Sequence, residues 1–425
     1  MSNRDRQIGF EKNKQYYKFC AYGFLKNLRF FEPFFILYLA SKGLTFLEIG
    51  FLYSIREIGT NLLEIPTGII SDSVGRRRTM IAAFAVYIIS FGIFHFFSGF
   101  AVFSIAMIFF SVGDAFRSGT HKAMIFEYLR LNNILDQKVH YYGHTRSYSQ
   151  AGSALSALAA GAMVYYGGNY EMIFLLSIIP NIIDMLLMIS YPKELDGEIN
   201  RGDRLLRSEL GTKKKILATL ADFRTALSSM KTIRALLNMS VHSAFYKAGK
   251  DYLQPILKAA AISIPVLTYV DPTRRSGVII GLVYFLIFMM NSSASRNSGK
   301  FVAKFSSLSV PLNLTVIISF AFAAIAGLFF TADFGIIGTV MFILVFIIEN
   351  LRKPVAVAFV SESLNPKVLA SVLSAASQLK SLLAALAAPA IGLLSDIYGI
   401  GTAITTVALV FLLLYPLYKV SENPK

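Results

Sequence analysis

The side chains of this sequence that could do chemistry come in short acid–base sets. Lys26, Arg29 and Glu32 follow one another at intervals of three, and Asp114, Arg117 and His121 at intervals of three and four. On a helix that spacing lays each set along one face. Further sets are Arg56, Glu57 and Glu64; His140, His144, Arg146 and Gln150; and His242, Lys247, Lys250, Asp251 and Gln254. Glu349, Arg352 and Lys353 form another, followed by Gln378 and Lys380. Such sets can bind a charged solute, pair with one another, or pass protons. A carboxylate in an apolar cavity can carry a coupling proton, and Glu32 and Asp114 are the first candidates, with Glu57 and Glu64 next. A histidine such as His121 titrates closer to neutral. Metal binding is not expected. Cys20 is the only cysteine, and His140 and His144 have no nearby carboxylate set. No catalytic triad and no Gly-x-x-x-x-Gly-Lys-Ser/Thr nucleotide loop is visible, so the chain is expected to be neither an enzyme nor driven directly by ATP, and to need no bound cofactor.

These charged sets lie inside apolar surroundings. The chain of 425 residues is 55% hydrophobic and 16% charged, whereas soluble domains sit near 45–50% and about 25%. Twelve segments approach the roughly 20 apolar residues that a membrane helix needs. They are Tyr16–Ala40, Phe46–Ile70, Arg78–Phe97, Ala101–Leu129, Val139–Tyr166 and Met172–Tyr191 in the first half. In the second half they are Thr232–Leu257, Gly277–Ser295, Leu308–Phe330, Phe334–Ser361, Val368–Leu394 and Thr402–Tyr418. A charge at the centre of such a span costs about 2.5–3.5 kcal/mol on insertion scales and marks function by default. With 36 Phe, 21 Tyr and no Trp, any interfacial aromatic belt must be tyrosine.

The net charge of +16 would suit a nucleic-acid binder, but its distribution does not. Alternate loops hold Arg4, Arg6, Lys12 and Lys14; Arg76, Arg77 and Arg78; Arg130 and Lys138; Arg296, Lys300 and Lys304; Lys367; and Lys419 and Lys425. The opposite loops hold Lys42, Lys258, Arg274, Arg275 and little else. The positive-inside rule then places both termini in the cytoplasm. The expected organisation is a tail over residues 1–15, a six-helix bundle over 16–191, a basic linker over 192–231, a second bundle over 232–418 and a tail over 419–425. The linker carries Leu205, Leu206 and Leu210 among Arg201, Arg204, Arg207 and Lys213 to Lys215. That pattern fits either a helix on the inner leaflet or a solvated linker.

The halves repeat one another. Glu32-Pro33 aligns with Gln254-Pro255, and Ser149-Gln150 with Ser377-Gln378. Asp114-x-x-Arg117 with Glu127-x-Leu129 aligns with Glu349-x-x-Arg352 with Glu362-x-Leu364. Between segments 2 and 3 stands Gly68-x-x-x-Asp72-x-x-Gly75-Arg76-Arg77, and Gly392-x-x-x-Asp396-x-x-Gly399 echoes it at the end of segment 11. Two six-helix halves, a basic central loop and this turn resemble the major facilitator superfamily over nearly the whole chain. In the turn, Gly68 allows close helix packing, Gly75 supplies the backbone freedom of a tight connection, and Asp72 can face a helix N-terminus. The start of segment 11 at Asn365-Pro366 is the candidate partner.

The resemblance implies an all-α membrane protein of twelve transmembrane helices in two pseudo-symmetric bundles, with segments 1, 4, 7 and 10 lining a central cavity. The cavity candidates are Arg29, Glu32, Asp114, Arg117, His121, Lys250, Asp251, Gln254, Glu349 and Arg352; Gly68, Asp72, Gly75, Arg76 and Arg77 are the expected conformational latch. The alternative for any one pair, Arg29 with Glu32 or Asp114 with Arg117, is that it only holds helices together. The implied activity is secondary active transport by alternating access, driven by a proton gradient, in the plasma (bacterial inner) membrane, by a monomer among membrane lipids. A slight excess of cavity cations favours an anionic or zwitterionic small-molecule substrate. Segment 5 lacks the family's antiporter Gly-Pro signature, yet a proton-driven efflux pump for amphiphilic drugs stays open as a second reading. A non-transporting membrane sensor or scaffold is the third.

Overall fold

A computed structural model describes residues 12–196, 230–263, 268–363 and 366–421. The described residues trace twelve helical spans and contain no strand. Seven of the helices are long and apolar enough to cross a membrane as they stand. The alternation of the spans brings both ends of the described chain to one side, called here the terminal face; the other is the far face.

In the first half, span 1 consists of two helices, Lys14–Leu25 and Phe35–Ser41. Span 2 is Phe46–Val74 and span 3 is Arg76–Phe96. Span 4 is Phe100–Arg117 followed by Thr120–Leu131. Span 5 is Lys138–Gly167 and span 6 is Met172–Ile189. In the second half, span 7 is Met230–Gly249 followed by Leu253–Ser263, and span 8 is Pro272–Val302. Spans 9, 10 and 11 are Ser309–Thr331, Gly335–Ser363 and Pro366–Tyr398. Span 12 is Ile400–Leu413 with a last turn at Tyr415–Tyr418.

Local chemistry explains the ends. Thr45 and Glu48 form a reciprocal capping box at the start of span 2. Asp271 caps span 8, with Pro272 at its first position. Span 8 also extends well past the expected Ser295, through a polar stretch that the apolar pattern misses. There Asn297 donates to the Ser293 carbonyl at 2.9 Å, one turn back along the helix.

Packing follows the membrane setting. Leu62, Leu386 and Leu413 are among many exposed apolar side chains, as lipid contact requires. The first half buries rings instead: Phe31, Phe91, Phe94, Phe110 and Phe174 form one aromatic cluster. The halves meet closely where small residues allow it. A Cβ on Gly161 of span 5 would lie 2.7 Å from the Gly277 carbonyl of span 8, and one on Gly50 of span 2 would lie 2.6 Å from the Ala388 carbonyl of span 11.

Candidate functional site

The expected cavity residues sit where spans 1, 4 and 7 lose regular helix. Span 1 breaks over residues 26–31 and resumes through a short 3-10 turn, Glu32–Phe34. Pro33 lies in that turn; it has no N–H to donate, and it biases the residue before it away from helix. Irregular backbone in a membrane needs a substitute partner, and span 7 supplies one. Gln254 Nε2 donates to the Glu32 carbonyl at 2.8 Å, and Gln254 Oε1 accepts from the Ile36 N–H at 2.8 Å. Ile36 is in the first turn of its helix, where an N–H has no intrahelical acceptor. One buried amide thus bridges the gap in span 1, and the two residues aligned by the repeat, Glu32 and Gln254, meet in space. Span 4 breaks at Ser118 and Gly119, where Gly119 has φ +72. Span 7 narrows to a 3-10 turn at Lys250–Tyr252.

Between the breaks in spans 1 and 4 lies a cationic cluster. Asp114 Oδ2 accepts from Arg56 Nε at 3.1 Å and Nη2 at 2.9 Å. Its Oδ1 accepts from Arg117 Nη2 at 3.1 Å and from the Tyr87 hydroxyl at 2.5 Å. Arg29 Nη2 stands 3.7 Å from the same Oδ1. Three guanidinium charges against one carboxylate leave a local balance of +2. Lys26 adds a further cation nearby; its Nζ sits 5.1 Å from the Tyr22 ring centroid. Lys26 borders two spaces. One is a narrow gap shared with Arg29, Arg117 and Asn181. The other is a cavity of about 310 Å3 shared with His121, Arg146 and Gln150.

Ion pairs cross from one half to the other beside this cluster. Lys250 Nζ lies 3.3 Å from Glu32 Oε1 and 2.6 Å from Asp251 Oδ1. The Tyr53 hydroxyl donates to Asp251 Oδ2 at 2.9 Å, and Lys247 pairs with Glu57. The two pairings considered from sequence fare differently: Arg117 meets Asp114, whereas Glu32 meets Lys250 and Arg29 meets Asp114.

Glu349 and Arg352 lie elsewhere, in the buried interior of the second half. Glu349 Oε2 is 2.7 Å from His242 Nδ1, and Glu349 Oε1 accepts from the Ser243 hydroxyl at 2.7 Å. His242 Nε2 is 2.6 Å from the Ser319 hydroxyl. Arg352, only 1% exposed, donates to the carbonyl of Asn238 at 2.5 Å and to its side chain, while Asn238 Nδ2 donates to the Tyr418 carbonyl at 2.9 Å. Arg352 thus ties spans 7, 10 and 12 together. His121 is likewise buried at one edge of its cavity, stacked on Tyr22 at 3.6 Å with Nε2 3.1 Å from the Tyr191 hydroxyl.

Among the described residues, Arg76 and Arg77 of the turn between spans 2 and 3 are held within their own half. Gly75 has φ +106 and caps span 2. The Arg77 N–H donates to Asp196 Oδ1 at 2.6 Å, and Arg77 Nη1 to the Tyr191 carbonyl at 3.0 Å. Arg76 faces Glu127 of span 4 at 3.8 Å. Among the described residues, nothing lies within 4 Å of a Cβ placed on Gly68. Asp72 is exposed, and its expected partner Asn365 lies outside the described residues, as does the amphipathic part of the linker. Among the described contacts, the echo motif makes a cross-half clamp at the far face. Asp396 Oδ1 accepts from the Phe46 N–H at 2.9 Å and Oδ2 from the Leu47 N–H at 2.8 Å, at the start of span 2. Gly392 permits that approach: a Cβ there would fall 2.2 Å from the Phe46 carbonyl.

Arg56, His242 and Lys247 stood among the charged sets of the sequence but not among the cavity candidates, and Tyr87 was not singled out at all; all four take their roles from partners on other spans, which spacing along one helix does not show. Asp184 carried a plain signal, as the only ionisable residue in the apolar helix Met172–Ile189. It is 1% exposed, and neither carboxylate oxygen finds a hydrogen-bond partner among the described residues.

Comparison with known proteins places this arrangement. The profile of the Major Facilitator Superfamily matches residues 19–388. A stretch of 104 residues is 32% identical to "Uncharacterized MFS-type transporter YxaM" of Bacillus subtilis (strain 168); it spans 24% of this chain and only 26% of that relative. Among solved structures, the nucleoside transporter NupG superposes with a TM-score of 0.73 at 12% identity, over 96% of this chain and all (100%) of the other. A POT family transporter in complex with 5-aminolevulinic acid gives 0.65 at 13% identity, over 94% of this chain and 95% of the other. A D-xylose–proton symporter gives 0.64 at 15% identity, over 96% and 97%. At these identities the structural likeness is one of fold. A profile match along most of the sequence, on a twelve-span framework of this kind, makes the chain a multi-pass membrane protein that belongs to the major facilitator superfamily.

Proposed function

We propose that this secondary transporter carries a small organic anion or zwitterion, that a proton gradient drives it, and that the cargo's negative group binds beside Lys26, Arg29 and Arg117. The observation that carries this reading is the charge imbalance at Asp114, with three guanidiniums around one carboxylate. Arginine cannot be deprotonated in a protein, so the excess positive charge is permanent. A buried cationic excess is costly unless an anion compensates it, and a bound substrate is the natural compensation. The proteins of similar fold are named for nucleosides, a peptide-transporter family and xylose. Those solutes are polar organic molecules, and the symporter among them supports proton coupling on this fold. By the charge of the loops, the terminal face is cytoplasmic in a bacterial inner membrane.

The aromatic wall next to the cluster supports the second reading, export of amphiphilic drugs. Phe31, Phe91 and Phe110 border the narrow gap, and the Arg56 guanidinium lies 4.5 Å from the Phe110 ring centroid. On the leading reading these rings instead hold the apolar part of an organic anion. The two are separated by a thermal-shift screen of the purified protein against carboxylates, phosphorylated metabolites, amino acids and lipophilic cations at two pH values. The expected outcome is stabilisation by one anionic or zwitterionic class, lost in Arg29→Ala and Arg117→Ala. Stabilisation by lipophilic cations alone would sink the anion reading.

A further inference from the structure

We infer that His242 and Glu349 form the proton-carrying pair of the transport cycle, with the Ser319 hydroxyl as an adapter that keeps the site hydrogen-bonded with and without the proton. This rests on the proton-driven reading above and assigns it to particular atoms, away from the first sequence candidates Glu32 and Asp114.

The argument is one of hydrogen-bond capacity. His242 is fully buried and has a partner at each ring nitrogen, Glu349 Oε2 at 2.7 Å and Ser319 Oγ at 2.6 Å. A neutral imidazole donates from one nitrogen and accepts at the other, whereas imidazolium donates from both. Against an ionised Glu349, Nδ1 carries the hydrogen in either state. Nε2 therefore accepts from Ser319 when the imidazole is neutral and donates to it when a proton has been added. A hydroxyl can do both by rotating. Uptake forms one N–H bond at Nε2 as a hydronium O–H bond breaks; release reverses it, and water on either side is the only co-reactant. Ser243, at 2.7 Å from Glu349 Oε1, holds the carboxylate in place throughout.

No such adaptation is open to Asp114. Three of its partners are guanidiniums that only donate, and the fourth, Tyr87, already donates to it while accepting from Arg117 Nε at 3.1 Å. Glu32 is committed to Lys250 across the interface.

The surroundings of the pair are cationic apart from Glu349 itself. Arg352 and Lys353 act on it from span 10 and Lys380 from span 11, while Lys247, further along span 7, faces Lys380 and is paired with Glu57 of span 2. The Tyr246 phenol lies on the same span, and span 9 contributes only Ser319 and the Phe320 ring at 5.6 Å. A proton arriving there adds repulsion with few anions to absorb it. His242, Tyr246 and Lys250 are four residues apart along one face of span 7. The added charge therefore acts on the helix whose break, at Lys250–Tyr252, holds span 1 through Gln254.

The test needs no known substrate. A reporter cysteine replaces Ala388, 2% exposed and packed against Gly50 at the far face, in a Cys20→Ser background. Its alkylation by a charged maleimide, divided at each pH by the rate for the same protein unfolded so that thiolate ionisation cancels, measures opening of that face in the purified protein. In the otherwise unaltered protein the rate is expected to differ about tenfold between about pH 6 and about pH 8. In both His242→Gln and Glu349→Gln the pH dependence should vanish, with folding verified by thermal unfolding. Ser319→Ala, a milder change, should move the midpoint by about 0.5–1 pH unit. If the unaltered protein shows no pH dependence, the proton-driven reading itself falls. If it does, and both variants keep the dependence with an unmoved midpoint in Ser319→Ala, the pair is the wrong site while proton coupling stands.

Discussion

Asp114 and Glu349 occupy matching positions of the fourth and tenth spans, each followed three residues later by an arginine. Their surroundings differ in kind. Asp114 is ringed by Arg29, Arg56 and Arg117 at the seam of the broken helices. Glu349 sits in a buried interior against His242 and Ser243, and its own arginine turns away to Asn238. A duplication can supply the same acid–arginine pair twice, but the neighbours decide what each copy can do. Permanent cations around one acid suit the proposed anion site; a titratable ring beside the other suits the proposed proton site. Span 4 breaks next to its copy at Gly119, whereas span 10 runs through its copy as one helix.

The strongest way to break this comparison is to remove the two charges in turn. Asp114→Asn leaves three partly buried guanidiniums without their counter-charge and is expected to cost about 3 kcal/mol, the lower end for a buried pair. Glu349→Gln leaves partners that can be neutral and should cost about 1–3 kcal/mol. Unfolding of the purified variants in detergent measures both, and equal losses would mean the two surroundings are not different in kind. A smaller effect falls on binding. Lys26→Gln should weaken whatever anion the screen identifies by about tenfold, equivalent to about 1.4 kcal/mol, without altering the pH response of the far face. A change in that response would merge the two functions assigned to separate halves.

Single hydroxyls then sharpen the contrast. Tyr87→Phe removes a group bonded to both Asp114 and Arg117, and should cost about 1.5–3 kcal/mol because both partners are charged. Ser243→Ala touches Glu349 alone and should cost less, by the same unfolding measurement. The smallest effect concerns the clamp between the halves. Asp396→Asn weakens a carboxylate at the start of span 2, where helix-end charge effects are modest. Its expected signature is about two- to threefold faster labelling of the Ala388→Cys reporter. Unchanged labelling would show that glycine packing alone closes the far face.

Much of this framework was legible in the residues. Long apolar runs place every span, because a bilayer demands length and hydropathy regardless of partners. The repeat was visible in Glu32-Pro33 and Gln254-Pro255, and the structure makes the two positions touch. The breaks in spans 1 and 4 had local signals in Pro33 and Gly119 that apolar counting passes over. Partnerships were less legible. Arg56 reaches Asp114 from a span that the family pattern does not assign to the cavity, and His242 meets Glu349 across more than a hundred residues of chain. Such pairings depend on how helices cross, which one helix's periodicity cannot contain. Among the described residues, the tight glycine contacts of spans 2 and 11 are at Gly50 and Gly392, towards the far face; the motif's own turn gave no signal for them.

The cationic cluster at Asp114 has one more consequence, for what must not pass. A carrier that exposes a hydrated cavity to alternate sides risks leaking hydronium, sodium or potassium down their gradients. Fixed positive charge at a constriction raises the barrier to every small cation, as arginines do in water-conducting pores. On the proposed reading, an anionic cargo is admitted by the same field that turns those ions back, and the guanidiniums of Arg29, Arg56 and Arg117 would insulate the membrane during each turn of the carrier. On the proposed proton-driven reading, the proton then needs a route away from them.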